Sequence, residues 1–320
     1  MSFLQSITPI NLLEEKAKFL ADASYNPQFK YAQPVNSDKL LQHGYPQTKY
    51  SRLAQEIVDQ AYHHRNEQDL MMTEGRVLSQ AQVEQKITSF LSMHGLDKRF
   101  KLMWSSGFIA RTTINKDTIK LRLPVEFRQD GLLSMLYHEI GTHALRRINY
   151  EHQPWFKKRL KYGLTHDYLK TEEGLASLHS LLPQSFKSAH STALRYLLVD
   201  YAQHHSFAEL WQLAGKYVQN LERRWMICLR EKRGLEDTSQ PGGYSKDLVY
   251  FEGMVDVWQY LNKHDFDITQ LYFGKIAWQD VEIAIAANPG FRPQLPSFYT
   301  LDAVKYGQLL QSIGSLNHFN

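Results

Sequence analysis

The segment DGLLSMLYHEIGTHALRRIN, residues 130–149, decides how the chain is read. Leu132, Leu133, Leu136, Ile140 and Ala144 recur at helical spacing, which predicts a helix with one buried face. The same helix carries His138, Glu139 and His143. Two histidines four residues apart on a helix are separated by about 40° of rotation and can share one ion, whereas a separation of five corresponds to about 140°. Coordination by both His138 and His143 therefore requires a one-residue widening or local unwinding of the turn. Gly141 lies in that turn and, having no Cβ, makes such a distortion less costly. On these residues alone, two polar positions on a buried helix remain the competing account.

A third ligand decides between them, and the best candidate lies in LKTEEGLASLHSLL, residues 169–182. Gly174 follows Glu173, and Ala176 and Ser177 stand three and four residues on, so the helical face around this carboxylate is lined with small groups. Small groups permit close packing against the metal helix. Glu172 is the competing carboxylate, its plainer role being a charge in the first turn of a helix. Two imidazoles and one carboxylate leave a fourth position open, the arrangement of a catalytic zinc site, and the set suits zinc better than a copper thiolate or an iron–sulfur centre. One Zn²⁺ per chain is expected, held by His138, His143 and Glu173. Glu139, next to a ligand but facing elsewhere, is placed to move the proton of a bound water.

HEIGTHALR and TEEGLASLH together resemble the microtubule-associated tyrosine carboxypeptidase family and its bacterial relatives, which carry an H-E-x-x-x-H helix and a Q-E-G-L-A-type segment. CLREKRGLEDTSQPGG and YSKDLVYFEG resemble that family too, so the likeness spans roughly residues 100 to 260. The resemblance implies zinc on His138, His143 and Glu173, with Glu139 as catalytic acid and base. Glu172 stands where the family often has Gln. It implies removal of a C-terminal tyrosine from an acidic protein tail, α-tubulin being the family's known substrate. A protein or peptide substrate with a free C-terminus is thus the expected partner. Two rivals are a zinc endopeptidase or aminopeptidase, and a non-catalytic binding or regulatory protein that keeps the metal fold.

A carboxypeptidase must also receive the terminal carboxylate, usually with Arg or Lys. The run from Arg230 to Tyr250 offers Arg230, Arg233, Lys246 and Tyr250 around the Pro241–Gly243 turn as a basic substrate rim. For each of them a surface cation or a core tyrosine is an equally good account. Arg111, on the FIARTTI stretch, is an alternative anchor. His63 and His64 read as surface histidines, His152, His166 and His179 as polar or capping residues, and Met135, Tyr137 and Trp155 as packing.

The wider composition is that of a globular protein, with 43% hydrophobic and 22% charged residues. Cys228 is the only cysteine, so neither an internal disulfide nor a cysteine-rich zinc knuckle can form. A formal charge of +4 is too small to announce nucleic acid binding. Neither a signal peptide nor 18 consecutive apolar residues occurs in the sequence, so no membrane association and a cytoplasmic location are expected, with export by a signal-peptide-independent route left open.

Along the chain, SRLAQEIVDQAYHH reads as a helix. SQAQVEQKITSFLSMHGL is a clearer one, with Ser79 and Gln82 forming a capping box, Val83, Ile87, Phe90 and Leu91 facing inward, and Gly95 closing it. YNPQFKYAQPVN and HGYPQTKY read as loops. Between Phe100 and Phe127 the β-branched stretches KLMWSSGFIARTTIN and DTIKLRLPV predict a small antiparallel sheet with a turn at Asn115–Asp117. The expected fold is a mainly helical α+β zincin-like metallopeptidase. Its expected division is an N-terminal helical portion over residues 1–95 and a catalytic domain over 96–320.

Overall fold

Ser79 starts its helix as its sequence requires: its side chain accepts the Gln82 N–H and the Gln82 side chain returns to the Ser79 N–H, capping the helix Gln80–Met93. Val83, Ile87, Phe90 and Leu91 are the buried face, and Gly95 leaves it with φ +65°, in the left-handed region where glycine pays no Cβ penalty. The computed structural model describes residues 3–106, 112–115, 117–165 and 167–319. Arg111, Lys116 and His166 lie outside the described residues. The chain forms two compact units, Met1–Leu70 with Ser188–Glu252, and Met71–Lys187 with Gly253–Asn320.

The first unit is helical, with Leu12–Ala21, Thr48–Tyr62, His190–Ala202, Phe207–Gly215 and Leu221–Lys232 as its main helices. Thr48–Tyr62 is the helix expected from SRLAQEIVDQAYHH, and His63 and His64 beyond it are exposed. Its core is aromatic. Phe19 meets Phe207 and Trp211 edge-on with ring centres 4.9 and 5.0 Å apart, a geometry the ring quadrupoles favour.

The second unit carries the sheet. Strands β1 (Lys101–Ser105), β2 (Thr112–Asn115) and β3 (Thr118–Arg122) lie in the order β1-β3-β2. Ile119 and Leu121 are fully buried while Thr118, Lys120 and Arg122 are half-buried, the period-two pattern of a sheet with one covered face. β2 and β3 pair antiparallel, with Ile114 opposite Ile119, as the turn residues suggest. The sheet as a whole is mixed, because β1 pairs parallel to β3, with Leu102 opposite Ile119. A hairpin announces itself in local turn chemistry, but a parallel partner reached through a longer connection has no such local signal.

The rest of this unit is helical, including Gln129–His138, Leu169–Leu181, the residues from Gly253 on in Leu248–Asn262, and Ala303–Leu316. Leu132, Leu136 and Ile140 of the histidine helix are fully buried, and the stripe resumes at Leu145, five residues on. Gly174 packs against the backbone of Gly253, where a Cβ would lie 2.1 Å from the Gly253 carbonyl carbon. That glycine therefore serves close approach of Leu248–Asn262 to the carboxylate helix. No helix among the described residues is long and apolar enough to cross a membrane.

Candidate metal centre

The five-residue spacing of His138 and His143 is accommodated by a change of helix type. The α-helix Gln129–His138 passes into a π-helical turn at Glu139–Ala144 and returns to α-helix at Leu145–Glu151. The Leu145 N–H reaches the Ile140 carbonyl, five residues back, as a π-turn requires. The extra residue brings the two imidazoles onto one side, and their Nε2 atoms face each other at 3.1 Å. Gly141 is needed here for space: its φ is not positive, but a Cβ on it would stand 2.6 Å from the Phe298 ring.

Glu173 completes the cluster. Its Oε2 is 3.4 Å from His143 Nε2 and 3.8 Å from His138 Nε2, and one ligand atom from each of the three residues lies within 4.8 Å of the other two. Donors bound tetrahedrally to zinc at about 2.0–2.1 Å stand about 3.3 Å from one another, so the three separations fit a common ion. Among the described residues the cluster offers two imidazoles and a carboxylate, which matches a nitrogen and oxygen site.

The carboxylate helix also orients the imidazoles. His143 Nδ1 is 2.9 Å from Glu172 Oε1, and the His138 ring is hydrogen-bonded to the Ala176 carbonyl. Each ring is thus held from behind, leaving its Nε2 for the cluster. Glu172 is itself anchored by the Arg146 guanidinium, with Lys275 Nζ 3.4 Å away. Arg146 is fully buried and donates to the carbonyls of Leu271 at 2.9 Å and Ile276 at 2.7 Å. The two carboxylates weighed in the sequence therefore occupy different places: Glu173 faces the histidine Nε2 atoms, and Glu172 stands behind His143.

The electrostatics follow from these contacts. Burial raises the Glu172 carboxyl, but Arg146, then His143 and Lys275, hold it well below the usual carboxylate range. Burial lowers His143, yet the carboxylates of Glu172 and Glu173 outweigh it and push the imidazole up to about 10. His138 is pushed down, by burial and by His143 beside it. The cluster thus holds a positive charge between carboxylates, a place that a proton or a metal cation can fill.

Glu139, adjacent to His138 at the start of the π-turn, is half-buried. The proposed rim residues lie in the other unit. Arg230 forms a two-pronged ion pair with Asp247, Arg233 stacks its guanidinium 5.0 Å from the Tyr244 ring centre, and Lys246 Nζ sits 5.8 Å from that of Tyr250. Outside the cluster, His152 is exposed and Trp155 fully buried, while Tyr137 stacks on Phe298 at 4.4 Å. His179 is buried between Thr142 and Tyr306.

Arg146, Tyr272, Phe298 and Tyr306 support the site and escape a sequence reading. Only Arg146 leaves a trace, as a charge three residues beyond His143 on a helix whose neighbouring positions are core.

The family described as microtubule-associated tyrosine carboxypeptidase matches residues 17–287. Microtubule-associated tyrosine carboxypeptidase 1 of Mus musculus is 32% identical over 326 residues, which cover 99% of this chain and 69% of that protein. The protein of the same name from Homo sapiens is 32% identical over 330 residues, covering 99% of this chain and 68% of its own length. With the match running through both the histidine helix and the carboxylate helix, the chain belongs to the microtubule-associated tyrosine carboxypeptidase family.

Proposed function

We propose that the chain is a zinc-dependent carboxypeptidase that removes a C-terminal tyrosine, or another aromatic residue, from an acidic protein tail such as that of α-tubulin. The observation that carries this reading is the convergence of His138, His143 and Glu173 within 4.8 Å, with each histidine oriented from the carboxylate helix. Those three residues would hold the ion. Zinc so held would supply Lewis-acid polarisation and lower the pKa of a water molecule. The Glu139 carboxylate takes the proton of the attacking water and passes it to the nitrogen of the scissile peptide. As the C–N bond breaks, free tyrosine leaves with that proton and the shortened chain keeps the new carboxylate.

Recognition of a free C-terminus needs a cation, and Arg230, Arg233, Lys246 and Tyr250 are proposed as substrate contacts. What supports them is their chemistry: Arg230 and Lys246 both lie 5.8 Å from the centre of the Tyr250 ring, so charge and an aromatic face are presented together. A cytoplasmic location accords with the microtubule association in the relatives' name.

The test uses purified protein, its zinc content, and peptides with an acidic tail ending in Tyr, in Tyr-amide and in Glu. About one zinc per chain and release of free tyrosine from the first peptide alone are expected. Cleavage of the amide as fast as the acid, or release of internal fragments, would leave the zinc site standing and defeat the carboxypeptidase reading.

A further inference from the structure

The π-turn between the two histidines is gripped from outside its own backbone. Thr142 Oγ1 donates to the Tyr137 carbonyl at 2.8 Å, five residues back. A threonine in an α-helix bonds the carbonyl four residues back, so this bond belongs to the widened turn. The Leu145 N–H, whose α-helical acceptor would be the Gly141 carbonyl, is directed to Ile140 and Thr142 instead. The Gly141 carbonyl accepts the buried Tyr272 hydroxyl at 2.6 Å.

His179 closes the arrangement. Its Nδ1 is 2.7 Å from Thr142 Oγ1 and its Nε2 is 2.9 Å from the Tyr306 hydroxyl. Thr142 Oγ1 is thus within hydrogen-bonding distance of both the Tyr137 carbonyl and His179 Nδ1, and the His179 ring bridges Thr142 to Tyr306. Phe298 covers the cluster, stacked 4.4 Å from Tyr137 and edge-on to His179 at 4.8 Å.

We propose that Thr142, Tyr272 and His179 are positioning residues: a buried clamp that keeps the turn one residue wide and thereby keeps the His138 and His143 Nε2 atoms on one metal ion. It rests on the zinc reading above. Without the clamp the turn relaxes toward the α-helical register, and His143 turns away from His138 by about 100°, one residue's worth of rotation. The 3.1 Å separation of the ring nitrogens is then lost.

The experiment compares Thr142→Val, which keeps the shape and removes the hydroxyl, with Thr142→Ser, which restores it, and with Tyr272→Phe. Zinc affinity is measured by chelator competition, coordination geometry by the visible spectrum of the cobalt-substituted protein, and folding by the melting temperature of the metal-free protein. Thr142→Val and Tyr272→Phe should weaken zinc about 10–100-fold and alter the cobalt spectrum, and Thr142→Ser should stay near wild type. A folded Thr142→Val with wild-type zinc affinity and spectrum would overturn the clamp. If that variant does not fold, Tyr272→Phe decides by the same criteria. A wild-type chain that binds no zinc would overturn the metal reading and the clamp with it, whereas a zinc-binding wild type matched by its variants would overturn the clamp alone.

Discussion

Arg146 in one unit and Arg230 in the other each close on a buried carboxylate, Glu172 and Asp247, but only one of these pairs has an oxygen directed at an imidazole. Glu172 gives one oxygen to Arg146 and the other to His143, so the fully buried arginine holds the carboxylate that aims a proposed ligand. Arg230 takes both oxygens of Asp247 in a fork, and next to it burial and the Asp247 charge push the Glu231 carboxyl well above the ordinary range. The same interaction thus orients an imidazole in one place, while in the other it joins a proposed substrate contact, Arg230, to a carboxylate that also meets Glu231. A buried ion pair says little about function until its remaining hydrogen-bonding capacity is traced.

The largest expected effect separates proton transfer from both pairs. Glu139→Gln should cut turnover by about 10²–10⁴-fold and keep stoichiometric zinc, because Glu139 is proposed to move protons without ligating the ion. Glu173→Gln should lose the metal itself, as metal analysis after dialysis would show. Equal zinc loss in the two variants would contradict this division.

The contrast between the pairs predicts the next effect. Glu172→Gln should weaken zinc by about 10–100-fold, because His143 loses the carboxylate that holds its ring. Asp247→Asn should instead lower the melting temperature, by an amount equivalent to about 1–3 kcal/mol for a guanidinium that is 34% exposed and loses its partner, and leave zinc affinity unchanged. Zinc titration and thermal unfolding of both variants would break the comparison if Asp247→Asn proved the worse metal binder.

A smaller effect is linked to pH. His143, pushed up to about 10 by its carboxylates, carries a proton at neutral pH that must leave before its nitrogen can bind an ion. Zinc uptake should therefore release about one proton from this residue. Apparent affinity should rise with pH up to about 10, where that release ends. Calorimetry in buffers of different ionisation enthalpy counts the protons, and Glu172→Gln should reduce the count near neutrality by lowering the His143 pKa. Salt should act more weakly still. Raising ionic strength should increase KM for acidic-tailed peptides a few-fold with kcat little changed, since screening reaches exposed charges first.

Much of the candidate site was legible because metal-ligating side chains leave local marks in a sequence. Histidines are few, and the pair at 138 and 143 even announced the widened turn that would bring it together. The space that makes Gly141 necessary was not legible, because Phe298, which fills it, is 157 residues away in the chain. The role of Gly174 was partly misplaced for the same reason: a small residue signals a close approach, but the partner, Gly253, is known only once the helices pack.

The sequence by itself determined the helix with its capping box, the β2–β3 hairpin, the mainly helical character and the residues able to meet an ion, since propensity, capping, turn chemistry and ligand type are all local. Tertiary structure decided the parallel pairing of β1, and which of two neighbouring carboxylates faces the histidine Nε2 atoms. It also supplied the side chains that brace the site from Arg146, Tyr272, Phe298 and Tyr306. Adjacent residues on a helix point about 100° apart, so Glu172 and Glu173 have nearly the same local sequence and opposite fates. Only the packing of the carboxylate helix against the π-turn, with Arg146 on one side and the two histidines on the other, tells them apart.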